Sequence, residues 1–273
     1  MKHQIPFMKM HGLGNDFVIV DSRISPIQIS AQIAQGLGDR HRGVGFDQLA
    51  VINDSSDADV ALSFYNSDGS TAAACGNATR CIAQYEMDRL QVDSLSMITE
   101  RGLLAAQRYG DMVSVNMGHP MLDWDKIPLA RPLDTLRLPL DGAPTATGMG
   151  NPHCTFFVEN AEAVDLAQLG PIFENDPLFP ERTNVQFAHV VGKNLLRMRV
   201  WERGVGMTLA SGSSSCATAV AAVRLGLTGR KVEIQLDGGM IYIDWRDDGV
   251  WMTGATLHVF DGVLTTQFLE SLR

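Results

Sequence analysis

Ala74-Cys75-Gly76-Asn77 and Ala210-Ser211-Gly212-Ser213 are one pattern written twice, Ser211 following Cys75 at an offset of 136, half the length of the chain. The same offset joins Asn15 in Gly12-Leu13-Gly14-Asn15 to Asn151 in Gly148-Met149-Gly150-Asn151, Gln48 to Asn184, and Asn66 to Glu202. Apolar positions between them match without gaps: Leu62 with Met198, Phe64 with Val200, Tyr65 with Trp201. Self-similarity at a fixed period marks a repeated architecture, and polar residues recurring in both copies are expected to converge on one site in the cleft between them. A single matched glycine turn is ordinary punctuation between a strand and a helix. Four matched pairs, each able to hydrogen-bond a ligand, are more than punctuation.

Working outward, the fold class is α/β (α+β) in two pseudo-symmetric domains, 1–125 and 126–273, each of meander strands with one central helix, the C-terminal segment being free to pack back on the first domain. Strands are expected at Phe7 to Met10, Phe17 to Asp21, Leu49 to Ile52 and Val60 to Tyr65. The central helix, Asn77 to Leu90, carries Ile82, Met87 and Leu90 at near-helical spacing. Strands near Leu95 to Glu100, Gly102 to Arg108 and Met112 to Asn116 follow, and the proline-rich Ile127 to Pro144 reads as the crossing between domains. The cycle then repeats: strand Thr155 to Val158, a helix near Ala163 to Leu169, strands Val185 to Val190 and Leu196 to Trp201. Helix Ser213 to Leu225 comes next, closed by Gly226. Two strands around Asp247-Asp248-Gly249, a last strand to Phe260 and a short helix finish the second domain. The Gly43-Val44-Gly45 loop leads into a strand, so it lacks the strand-to-helix context of a dinucleotide fingerprint.

A chain of 273 residues, 45% apolar and 19% charged, has room for two ordinary cores. Its formal charge of -9 argues against binding a nucleic-acid backbone. Met1 to Phe7 has no apolar stretch of signal-peptide length and no long apolar run occurs elsewhere. Membrane insertion and secretion are therefore not expected, and the cytoplasm is. Cys75, Cys81, Cys154 and Cys216 are too few and too scattered for a disulfide scaffold, and no C-x-x-C pair suggests a metal.

A cysteine at a helix N-terminus has its thiolate favoured by the dipole and by free backbone N–H groups, which makes Cys75 a credible base. The same amides bind a carboxylate, and the turn at Ser211-Gly212-Ser213 offers a second cradle. Such amides also stabilise the charge that develops when an α-proton leaves. The reaction class is therefore proton abstraction beside a carboxylate, with no cofactor and no metal. Pseudo-two-fold symmetry sets residues 75 and 211 on opposite faces of one carbon, as a two-base racemisation requires. Ser211 breaks the chemical symmetry, because a hydroxyl resembles water, with a pKa of roughly 15.7, more than a thiol at roughly 8.5.

Met10-His11-Gly12-Leu13-Gly14-Asn15-Asp16-Phe17, Gly43-Val44-Gly45-Phe46-Asp47-Gln48, Cys75-Gly76-Asn77, Gly150-Asn151-Pro152-His153-Cys154, Pro180-Glu181-Arg182-Thr183-Asn184-Val185 and Glu202-Arg203-Gly204 together resemble the diaminopimelate epimerase family, in order, from near the N-terminus to Phe260. The resemblance implies an antiparallel, barrel-like sheet around the central helix of each domain, with the active site in the cleft between them, and cofactor-independent conversion of LL- to meso-diaminopimelate, in lysine and cell-wall precursor synthesis, by a cytoplasmic homodimer. It implies that Cys75 is one of two acid/base thiols, and that Gly76, Asn77, Gly212 and Ser213 cradle the reacting carboxylate. Asn66, Asn151, Asn184, Glu202 and Arg203 would hold the distal amino-acid end, while Asn15 and Gln48 line the cleft. Arg203 suits a carboxylate and Glu202 an ammonium. Three positions depart from the family pattern: Ser211 stands where the second catalytic cysteine is implied, Ala78 and Ser214 where glycine is common, and Phe260 where dimers use a tyrosine. Cys216, further along the same helix, reads as a packed core thiol. Two other readings fit a Cys/Ser pair: a lyase that dehydrates a hydroxylated amino acid, and a silent amino-acid-binding protein. The distal-end set favours the epimerase, with its second acid/base position handicapped by Ser211.

Overall fold

The structure, a computed structural model, describes residues 4–272; Met1 to His3, part of the N-terminal stretch read above, and Arg273 lie outside the described residues. The first repeat contains β1 (Ile5–Gly12), β2 (Asn15–Asp21), α1 (Ala31–Gly38), β3 (Gln48–Asn53), β4 (Val60–Asn66), β5 (Thr71–Ala72), α2 (Gly76–Leu90), β6 (Ser94–Thr99), β7 (Gly102–Tyr109) and β8 (Met112–Asn116). The second contains β9 (Thr145–Gly148), β10 (Pro152–Phe157), α3 (Leu166–Glu174), β11 (Asn184–Gly192), β12 (Leu195–Glu202), β13 (Gly206–Thr208), α4 (Gly212–Arg224), β14 (Lys231–Leu236), β15 (Gly239–Arg246) and β16 (Gly249–Gly254). The described chain ends in β17 (Leu257–Leu264) and α5 (Thr266–Ser271).

The α/β class and the two repeated halves stand, and the repeat extends well beyond the site motifs. Gln48 and Asn184 open β3 and β11, and Gly76 and Gly212 open α2 and α4, all at an offset of 136. Pairing register is copied too: Phe17 lies opposite Gln48, and His153 opposite Asn184. Past the central helices the offset becomes 137, as Gly102 and Gly239 open β7 and β15, because the connection from α4 to β14 is longer than that from α2 to β6. Each half mixes antiparallel hairpins with two parallel pairings, β2–β3 and β4–β6 in one, β10–β11 and β12–β14 in the other. The parallel pairs arise where a helix carries the chain back to start the next strand in the same direction.

Local chemistry explains several boundaries. The β1–β2 hairpin turns at Leu13-Gly14, with φ of 56° and 85°, the doubly positive geometry of a tight hairpin turn. Gly150 repeats the second of these values at 83°. Ser30 caps α1 by accepting from the Ile33 N–H at 3.3 Å, as a serine at this position is suited to do. Asp165 caps α3 by accepting from Gln168 at 3.1 Å, which starts that helix later than the sequence spacing suggests. Lys231–Leu236, not assigned from the sequence, is a strand whose residues alternate exposed and buried.

The fold divides into two compact units, Met1–Val115 with Ala255–Arg273, and Asn116–Gly254. The first is built on Phe7, Val18, Leu37, Phe46 and Leu49, with α2 packed on β1, β2, β6 and β7. In the second, Phe156 stacks on Phe187 at 4.8 Å between ring centroids, and α4 is buried along most of its length against β9, β10, β11 and β15. The proline-rich stretch contributes Ile127, Leu129 and Leu138 to this second core. Each unit is completed by the segment that follows the other repeat. Strand β17 pairs along β1 in the first unit, while Met121, just after β8, bridges to Gly148 of β9 in the second. Among the described residues no helix is long and apolar enough to cross a membrane.

Candidate active site

In the first unit, Cys75 is the N-cap of α2, extended at φ -144°, and its Sγ accepts from the Ala78 N–H at 3.4 Å. A sulfur in this position serves the helix better as thiolate than as thiol, since the first-turn amides have no carbonyl partner within the helix. Of the four cysteines Cys75 alone is partly exposed. Burial pushes the Cys81 thiol up to about 12 against the lowering effect of neighbouring Arg80, and burial pushes Cys154 well up too. Cys216 is fully buried, as a core thiol.

Asn77, in the first turn of α2, is buried and donates through Nδ2 to Asn15 Oδ1 at 3.1 Å. Asn15 donates in turn to Asp47 Oδ2 at 2.7 Å. Asp47 and Asp16 are gripped by the Arg40 guanidinium at 2.9 and 2.8 Å, and Lys9 bonds both Asp16 and the Gly45 carbonyl. Burial pushes the Asp16 carboxyl up, but the hydrogen bonds from Arg40 and Lys9 outweigh it and hold the group below its ordinary value, because both cations favour the charged form. The loop that presents Asn15 is thus fastened by charge. Gln48 and Asn66 face each other across the β3–β4 ladder, Gln48 Nε2 donating to Asn66 Oδ1 at 2.9 Å, and Asn66 Nδ2 donates to Ser70 Oγ at 2.9 Å.

In the second unit Ser211 is the N-cap of α4, extended at φ -134°, yet its side chain makes no cap bond. Its hydroxyl donates to Glu202 Oε2 at 2.8 Å, and Thr208 donates to Oε1 of the same carboxylate at 2.6 Å. The two N-caps therefore share a backbone position and differ in partner: helix amide for the thiol, carboxylate for the hydroxyl. Asn184 is buried, accepts from the Arg203 N–H at 3.0 Å and donates to the Pro152 carbonyl at 3.0 Å. Arg203 Nη1 donates to the Glu181 carbonyl at 2.9 Å. Asn151 Oδ1 is bonded by His153 Nε2 at 2.8 Å. Gly212 and Ser213 open α4 as Gly76 and Asn77 open α2, and their amides lie in the turn where helix N–H groups have no intrahelical partner.

Each unit thus gathers its own share of the expected residues. Asn15, Gln48, Asn66, Cys75, Gly76 and Asn77 lie in the first; Asn151, Asn184, Glu202, Arg203, Ser211, Gly212 and Ser213 lie in the second. Behind Asn151 the structure adds a polar group to which the sequence reading gives no role: His153, Thr155, Gln186 and Ser214, all fully buried. The repeat itself carries their signal, because their equivalents at the 136 offset are Phe17, Ile19, Ala50 and Ala78. Four polar side chains stand where the other copy is apolar.

A sequence model described as diaminopimelate epimerase matches residues 7–122 and 145–259. The chain belongs to this family. A diaminopimelate epimerase from Rhodospirillum centenum is 48% identical over 271 residues, covering 96% of this chain and 93% of that one. One from Zymomonas mobilis is 47% identical over 262 residues, covering 94% and 96%. Among solved structures, a hydroxyproline epimerase from Agrobacterium vitis superposes with a TM-score of 0.70 at 13% identity, over 97% of this chain and 94% of that one. A PhzF-family phenazine biosynthesis protein from Bacillus anthracis gives 0.68 at 14%, over 96% and 99%. These two share the fold.

Proposed function

We propose that this protein is an isomerase that epimerises LL-diaminopimelate to meso-diaminopimelate by a two-base route, each repeat supplying one acid/base group. The observation that carries the reading is Cys75 at the N-cap of α2, matched by Ser211 at the N-cap of α4, in a chain whose family is diaminopimelate epimerase. Removing a proton beside a carboxylate needs a base and a place for the growing negative charge. Cys75 is the base, and the amides of Gly76, Asn77, Gly212 and Ser213 take the charge. Arg203 and Glu202 are assigned to the distal carboxylate and ammonium, with Asn66 and Asn151 beside them and Asn184 holding the Arg203 backbone. Asn15 and Gln48 line the site. The Glu202 carboxylate also receives the Ser211 hydroxyl, so binding at the distal end and the second acid/base position share one group.

The cytoplasm, where lysine and wall precursors are made, is the proposed location, and the proposed assembly is a homodimer built on β17. That strand exposes Leu257, Val259, Phe260 and Val263 by about half each, an apolar run on both its faces, while Phe260 also meets Phe7 edge-on at 6.2 Å. A second copy would cover it. The test of function is α-proton exchange in deuterated water with LL- and meso-diaminopimelate, followed by resolution of the stereoisomers. Exchange with the isomer whose α-proton faces Cys75, slower with the other, supports the reading, and the absence of exchange with both isomers overturns it.

A further inference from the structure

Glu174 ends α3 as a buried carboxylate, 5% exposed, and among the described residues the groups that meet its oxygens are ones that can only donate. The Trp201 indole Nε1–H reaches Oε2 at 2.6 Å, while the Gly204 backbone N–H and Arg182 Nη1 reach Oε1 at 2.8 and 3.1 Å. An indole N–H, a backbone N–H and a guanidinium have no acceptor to offer, and a carboxylate has no proton, so the direction of all three bonds is fixed. Gly170 makes the first of them possible. It lies one turn before Glu174 on the same face of α3, and a Cβ there would stand 2.4 Å from the Trp201 ring. Glycine thus lets the indole lie against the helix and bring its N–H to the carboxylate.

Trp201 and Gly204 stand on either side of Glu202-Arg203, the pair assigned to the distal end of the substrate. The segment folds as a turn, with the Val205 N–H donating to the Glu202 carbonyl at 3.0 Å and Gly204 at φ 76°, a conformation glycine adopts at no steric cost. We propose that Glu174 is a positioning residue: its carboxylate brackets this turn at both ends and so sets the place from which Glu202 and Arg203 meet the distal ammonium and carboxylate. The first repeat does without it. The equivalent of Glu174 at the 136 offset is Gly38, which ends α1, and a Cβ there would stand 3.0 Å from the Cα and Cβ of Ser67, the equivalent of Arg203. There the helix end packs directly on a turn that carries the neutral pair Asn66-Ser67; in the second repeat the turn carries two charged side chains, and a charged side chain makes the contact. Hydrogen bonds to an ionised acceptor are roughly twice as strong as neutral ones, which suits a turn that must hold Glu202 and Arg203 still while they take up a charged ligand. The link to substrate rests on the function proposed above; the bracket itself does not.

Glu174→Gln tests this in the full-length protein. It keeps the size of the side chain but gives one of its two ends donors only, so it cannot accept from Trp201 and from Gly204 at opposite ends, and the bracket fails on one side. In the epimerase assay the KM for diaminopimelate is expected to rise about tenfold, the loss of one hydrogen bond to a charged group. With neither acid/base residue on this turn, kcat is expected to fall less than about threefold. Proton–nitrogen NMR of the indole N–H groups, with Trp201 identified by the signal lost in Trp201→Phe, reads the bracket apart from activity. The Trp201 proton, bonded to a charged acceptor in the native protein, is expected to move upfield in Glu174→Gln. A signal that stays in place overturns the bracket whatever the substrate. A signal that moves while KM does not, or a kcat that falls as far as KM rises, overturns the positioning role. If Glu174→Gln does not fold, Trp201→Phe, which removes one side of the bracket and leaves the carboxylate its other donors, must show the same rise in KM with kcat kept; an unchanged KM then overturns the role. A native protein that exchanges neither isomer refutes the function and not the bracket, which the Trp201 signal still decides.

Discussion

Replacing Ser211 by cysteine is the perturbation that reads the mechanism most directly. A hydroxyl at roughly pKa 15.7 and a thiol at roughly 8.5 differ by about 7 units, or on the order of 10 kcal/mol for full transfer of the proton. The proton is only partly transferred in the transition state, and positioned acid/base groups are worth about 10²- to 10⁴-fold in rate. Ser211→Cys is therefore expected to raise kcat for epimerisation by about 10²- to 10⁴-fold. The geometry permits the change. Cys75 turns its sulfur onto the Ala78 amide, and a thiol at 211 has the Ser214 amide in the equivalent place, releasing Glu202 from its bond to the residue. Exchange driven by Cys75 alone should change far less, because the base is untouched. For the same reason a substrate with a β-leaving group should lose it by elimination at similar rates in both proteins, since elimination needs a base on one face only. The assay is stereochemically resolved turnover beside deuterium wash-in. Were the serine protein to epimerise within a few-fold of the cysteine variant, the acid role given to position 211 would be wrong, or the Glu202 contact would compensate for the hydroxyl.

Four further outcomes are expected. Glu86 is fully buried on α2 and paired with Arg23 and Arg89; Glu86→Ala leaves Arg23 its second carboxylate, Asp21, and Arg89 its solvent, so it should cost about 1–3 kcal/mol in a denaturant titration, the value of a lost buried hydrogen-bonded partner. Asp16 has its carboxyl held below the ordinary value of 3.8, so its contribution is fully present above that unfolded pKa and is lost as pH falls through the lower folded value. Asp16→Asn should flatten that acid limb of the stability curve. Gln91 ends α2 at φ 56° and Gly226 follows α4 at φ 74°, both in the left-handed conformation that glycine adopts freely. Gln91→Gly should therefore stabilise the protein by up to about 1 kcal/mol in thermal unfolding. A small alkylating reagent at neutral pH should label the native protein once, at Cys75, since the other three thiols are buried and reaction needs an accessible thiolate. Equal labelling of Cys81 in a peptide map would contradict the packing of α2.

The repeat was legible because its signal is long-range and redundant: glycine turns, polar pairs and apolar matches all fall at one offset, and so do most elements of the fold. Strand β14 was harder to see, since Lys231-Val232-Glu233-Ile234-Gln235-Leu236 is a short alternation that pairs with β12 through a crossover. The parallel pairings were hidden for a related reason, because strand direction depends on what a connection does in space and not on the strand's own residues. At the site, residue identities were readable and their partners were not. Glu202 and Arg203 look like a salt pair in sequence, whereas the carboxylate takes hydroxyls from Ser211 and Thr208 and the guanidinium bonds the Glu181 carbonyl. The His153, Gln186, Thr155 and Ser214 group shows in sequence only when the two copies are compared for polarity instead of similarity.

The pairing of β17 with β1 sets an order of events on the ribosome. The second unit is a continuous run of chain, Asn116–Gly254, and holds all its pieces once Gly254 has emerged. The first unit, although synthesised earlier, lacks the strand that pairs with Ile5 to His11 until Leu257–Leu264 has been made. Domains generally fold as units in the order in which they are synthesised. Here β1 must wait, uncovered on that edge, until the whole second unit and then Leu257–Leu264 have been made, so the unit begun before the second is completed after it.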